Sequence, residues 1–190
     1  MNETYLRNAE FNRFSNSECG GWCGEANLTN ADLRNADLTD AFLRYADLTN
    51  ADLYNADLLD ADLRYVDLTN AVLENADLTH ASFYRADFTN ARLLYADLIN
   101  TNLYDAKLIY ANLAVADLTN ADLRYADLTN AILWGADLTD ANFDSADLTN
   151  ADLADADLVD AYLGYADLTN AYLGYADLTN AYLKYADLTN

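Results

Sequence analysis

The chain has 190 residues, 10 Lys plus Arg against 32 Asp plus Glu, and a net charge of −22. That charge excludes direct binding to nucleic acid or to an anionic membrane surface, both of which need a basic patch. A hydrophobic content of 53% excludes a disordered acidic tail, and no apolar run approaches the ~20 residues that cross a bilayer.

The opening Met1–Tyr5 lacks the basic and apolar regions of a signal peptide. With only two cysteines, the expected location is a reducing cytoplasm. Thr4–Asn8 and Ala9–Arg13 read as two five-residue units, and Phe14–Glu25 then spends twelve residues where two units would use ten. Residues 1–25 are therefore expected to form a first coil with a bulged loop, in which Gly20, Gly21 and Gly24 supply positive φ. Cys19, Trp22 and Cys23 fall in that loop, and the expected role is a cap over the open end of the core. A disulfide, a redox switch or half a metal site are the alternatives. A closed metal site needs about four ligands, and the single histidine, His80, is distant.

From Ala26 to Asn190 the chain runs in steps of five for 33 pentapeptides without an insertion. The first residue is Ala except at Val66 and Thr101, and the third is Leu except at Phe83, Phe88 and Phe143. On a helix five residues advance by ~500°, so successive leucines share no face. On a straight strand an odd period sends them to alternate sides. Either way about half would sit in water, at ~1.5–3 kcal/mol each. A chain that turns after every pentapeptide instead points every Leu at one axis, with small Ala near the corner and large Leu in mid-side. Stacked turns then pair backbone groups at ~4.8 Å spacing. The result is an all-β solenoid. A second rhythm of ten, with seven verbatim Ala-Asp-Leu-Thr-Asn units alternating with variable ones, implies an even number of sides. Four is the smallest even number that encloses a core.

The A-D/N-L-x-x unit that fills residues 26–190 resembles the repeat of the pentapeptide-repeat family. The resemblance implies a right-handed quadrilateral β-helix with four pentapeptides per 20-residue coil. The first and third residues point inward and the other three outward. On that plan Ala26–Tyr185 makes eight coils and Ala186 opens a ninth.

Sorting second positions by side gives two carboxylate columns. One holds Asp47, Asp67, Asp87, Asp127, Asp147, Asp167 and Asp187, interrupted by Lys107. The other is unbroken: Asp37, Asp57, Asp77, Asp97, Asp117, Asp137, Asp157 and Asp177. Locally, Asp and Asn at such places are expected to bond turn N–H groups. Collectively, −22 on a rod of ~45 Å is about one charge per 2 Å, near the B-DNA value of one per ~1.7 Å. Some members of the family resemble a DNA duplex and bind DNA gyrase in its place, protecting it from quinolones. Several of those carry long protruding loops, whereas this chain has only the bulge near Gly20.

Arg85, Arg92, Thr101 and Lys107 make the middle less regular, and the inward Thr101 is expected to bond to the backbone. Near the carboxyl end Tyr162, Tyr165, Tyr172, Tyr175, Tyr182 and Tyr185 are expected on the outside, as inter-coil ladders, as a partner surface, or as both. Leu188 stands at an uncapped last level, so either the chain is truncated there or that end is expected to meet another copy, as a homodimer, or a partner. A filled solenoid offers no cleft for catalysis, and glycine-rich phosphate loops and metal spacings are missing. The expected function is a non-enzymatic, cofactor-free scaffold for an unidentified protein partner. The alternative is a DNA-mimicking rod aimed at a DNA-processing enzyme.

Overall fold

The computed structural model describes residues 26–189. The first coil and bulged loop expected over residues 1–25, with Cys19, Trp22 and Cys23, lie outside the described residues. The chain forms a right-handed quadrilateral β-helix, and each second-position residue pairs in parallel with the residue twenty further on, from Asn27–Asp47 to Asp167–Asp187. The rungs are backbone bonds: Leu28 N–H donates to the Asp47 carbonyl at 2.7 Å, and Asp47 N–H donates to the Ala26 carbonyl at 2.9 Å. A strict register of twenty follows, and it sorts the pentapeptides onto four faces. Face 1 begins at Ala26, face 2 at Ala31, face 3 at Ala36 and face 4 at Ala41, each recurring every twenty residues.

Ala and Leu both point inward and form one continuous core from Leu33 to Leu168. The centre of each face is the second residue rather than the leucine, because the turn starts at the leucine carbonyl. Ala31 N–H, for example, donates to Leu28 O at 2.9 Å across the corner. Each such i→i+3 turn places its third residue at positive φ, as a type II turn does. All the fifth-position residues from Asn30 to Tyr185 adopt it, 31 of them non-glycine, with φ between 55° and 66°. Asn and Asp tolerate that region best, which explains their abundance there. Val115 does not: a β-branched side chain at φ 57° is strained, and the stacked coils hold it there, its N–H donating to the Trp134 carbonyl at 2.9 Å.

Departures from the motif are accommodated locally. Phe83 and Phe88 fill one corner of the core with ring centroids 4.9 Å apart in an edge-on arrangement. Thr101 is buried, and its hydroxyl donates to the Leu98 carbonyl at 2.7 Å, so its inward oxygen has a partner as expected. Gly164 and Gly174 occupy fourth positions where an added Cβ would lie only 2.8 Å from the Tyr162 ring and 2.6 Å from the Tyr172 hydroxyl. In these two units a tyrosine at the second position lies back over its own turn, and glycine leaves the space.

Candidate functional site: four faces of unequal charge

The register converts a sequence of scattered charges into faces of different character. Face 3 carries the column Asp37 to Asp177 and, at its corners, Asp40, Asp60, Asp140 and Asp160; it carries no Lys or Arg. Face 1 holds seven aspartates and Lys107, which reaches Asp87 at 3.1 Å. Face 4 holds Arg44, Arg64, Arg85, Arg124 and Lys184 against Asp62, Asp105, Asp122 and Asp144. Face 2 lies between these extremes, with Arg34 and Arg92 both paired to carboxylates.

The columns are built by local bonding. Asp57, Asp77, Asp117, Asp137 and Asp157 each accept the N–H of the residue two further on, at 2.9–3.0 Å. Asn27, Asn102, Asn112 and Asn142 make the same bond through their side-chain oxygen at equivalent places. This bond therefore needs an oxygen acceptor and no charge, and the corner itself also closes without it, at units whose second residue is Phe42, Val72, Lys107 or Ile132. At several of these places a following Thr adds its hydroxyl, as Thr89, Thr129 and Thr179 do at 2.6 Å. The Thr49, Thr169 and Thr179 hydroxyls, with their backbone N–H groups, hold Asp47, Asp167 and Asp177 below the ordinary carboxylate value.

Asp97 is the exception in the unbroken column. Desolvation, reinforced by Asp77 and Asp117 in the coils before and after it, pushes its carboxyl up. The folded chain therefore holds the Asp97 proton more tightly than the unfolded chain does. Its contribution to stability is largest below the unfolded value of 3.8 and declines as pH rises through the raised one. Asp97→Asn is expected to melt at the same temperature as the parent near pH 3 and at a higher one at pH 7. Thermal melts of both proteins across that range check the sign.

The six carboxyl-end tyrosines are divided between opposite faces. On face 4, Tyr162 stacks on Tyr182 at 4.5 Å and Tyr165 on Tyr185 at 4.9 Å. On face 2, Tyr172 pairs along the backbone with Asp152, and Tyr175 is 92% exposed. A second aromatic run was not expected from the sequence. Tyr45, Tyr65, Tyr84, Tyr104 and Tyr125 form a continuous chain of ring contacts along face 4, with centroids 4.7–5.6 Å apart. Arg85 and Arg124 lie over two of those rings. The signal was present in the fourth and fifth positions, where Arg and Tyr recur at intervals close to twenty.

Turns of fixed length around a filled core, with side chains ranked in columns outside, define a β-solenoid of the quadrilateral class. The chain belongs to the pentapeptide-repeat family. The family described as pentapeptide repeats matches residues 26–58, 56–93, 96–135, 136–174 and 161–190. HetL of the cyanobacterium Nostoc sp. strain PCC 7120, a pentapeptide repeat protein involved in heterocyst differentiation regulation, is 34% identical. That match covers 97% of this chain and 89% of HetL, with a TM-score of 0.28. Rfr23 of the cyanobacterium Cyanothece 51142 is 32% identical over 53% of this chain and 63% of its own, with a TM-score of 0.39. QnrB1, a plasmid-mediated fluoroquinolone resistance protein, shares the fold at a TM-score of 0.50 and 19% identity, covering 94% and 87% of the two chains. No curated protein sequence matches. Among the described residues no helix is long and apolar enough to cross a membrane.

Proposed function

We propose that the chain is a non-enzymatic scaffold that engages a basic protein surface through face 3. The observation that carries this reading is the segregation of charge: twelve aspartates and no cation on one flat side of a regular rod. Such a surface steers a cationic partner toward one orientation and rejects acidic ones. A second reading, a decoy for a DNA-processing enzyme such as gyrase, is favoured by charge density. Eight carboxylates in line at ~4.8 Å form a regular anionic ladder along the rod. The two readings part on competition. A partner bound to the wild-type chain should be released by salt in both cases, and displaced by duplex DNA only if the chain mimics DNA. Capture that persists when face 3 is neutralised would contradict both.

A further inference from the structure

The basic character of face 4 is concentrated at one place. In most ion pairs among the described residues one cation meets one carboxylate, as in Arg85–Asp105 and Arg92–Glu74. At Asp62 two cations meet one. Arg64 forks onto both oxygens of Asp62, its Nε donating at 2.7 Å, while Arg44 from the preceding coil reaches the same carboxylate at 3.7 Å. The second-position side chains of the next two coils are short, Ser82 and Asn102, and they leave an open recess of ≈ 320 Å³. Its lining is Arg44, Arg64, Tyr65, Ser82, Tyr84 and Asn102: two guanidinium groups, four neutral polar residues and no carboxylate.

The chemistry of that lining is rich in donors. Asp62 occupies two of the five N–H donors of Arg64, which leaves three. The Asn102 side-chain oxygen already accepts the Tyr104 N–H at 3.0 Å, so its amide presents N–H donors. Ser82 adds a hydroxyl. A guanidinium fork beside hydroxyl and amide donors matches the planar or tetrahedral oxygens of a carboxylate or phosphate. We propose that the Arg44–Arg64 recess on face 4 binds a small oxyanion, a phosphate or carboxylate group. The site is separate from face 3, and it gives a strongly acidic rod a place for an anion.

The test is a titration of the full chain with inorganic phosphate and, separately, with acetate, followed by the guanidinium Nε–H signals of Arg44 and Arg64 in ¹⁵N NMR spectra. Saturable shifts at those two residues are expected with at least one anion, and comparing the two tells which oxyanion the recess prefers. Arg64→Gln should weaken binding about tenfold or more. Arg124→Gln, which breaks a one-to-one pair on the same face, should leave binding unchanged. Circular dichroism confirms that each variant is folded, and Arg44→Gln takes the place of Arg64→Gln if the latter is not. Absence of saturation with both anions, or equal weakening by the Arg64 and Arg124 substitutions, would overturn the proposal.

Discussion

Leu118→Asp is expected to yield no folded protein. Leu118 is fully buried on face 3, with Leu98 and Leu138 at the same place in the coils on either side. The substitution removes a leucine whose burial is worth about 1.5–3 kcal/mol. It also places a carboxylate among aliphatic side chains with no cation within the core, at a further cost of several kcal/mol. The combined penalty is comparable with the ~5–15 kcal/mol that holds a typical domain together. A solenoid is especially exposed to such a lesion, since each coil contacts only its neighbours and a broken middle coil separates the two arms. Expression in the soluble fraction, far-ultraviolet circular dichroism and a thermal melt check this. A soluble variant with the parent's transition would refute an interior shared by all the leucines.

The second large effect is expected on binding, with folding spared. Converting Asp117, Asp137 and Asp157 to Asn removes three adjacent charges from face 3. The turn bond survives, because Asn27, Asn102, Asn112 and Asn142 already make it in this chain. Neighbouring carboxylates at ~4–5 Å repel by about 1 kcal/mol even at the dielectric of water, so thermal stability should hold or rise. Affinity for a basic partner should fall by about tenfold for each carboxylate that the partner pairs with. Titration calorimetry with a captured partner and the triple variant gives the answer. If the variant loses its fold, the column serves the backbone and the proposed interaction face loses its support.

The inward pattern was legible in the sequence because the core tolerates almost nothing else: Ala and Leu recur at first and third positions wherever a coil must close. The acidic columns were legible for a related reason, since Asp at the second position can accept the N–H that follows at the turn. The corners were less transparent. Positive φ at every fifth residue is usually signalled by glycine, yet among the described residues only Gly135 supplies it there, and Tyr65 or Val115 adopts it under the constraint of the stacked coils. Face 4 was missed because its arginines stand at fourth and fifth positions, where no packing rule filters the residue type and periodicity is loose. Its character emerges only once Arg44 and Arg64 are seen one coil apart, beside the carboxylate they share. The carboxyl-end tyrosines were similarly ambiguous: four form ladders on face 4, whereas Tyr172 and Tyr175 stand on the opposite side.

Cross-linking tests the register of twenty most directly. With Cys19 and Cys23 replaced by Ser, paired cysteines at Asp117→Cys and Asp137→Cys lie on adjacent rungs. Their separation of ~4.8 Å falls within the ~4.4–6.8 Å that a disulfide spans between Cα atoms. Cysteines at Asp117 and Ile132 stand on different faces. Mild oxidation followed by peptide mass spectrometry should show a disulfide in the first pair and free thiols in the second. A bond between 117 and 132, with none between 117 and 137, would contradict the four-sided coil and the carboxylate ladder built on it.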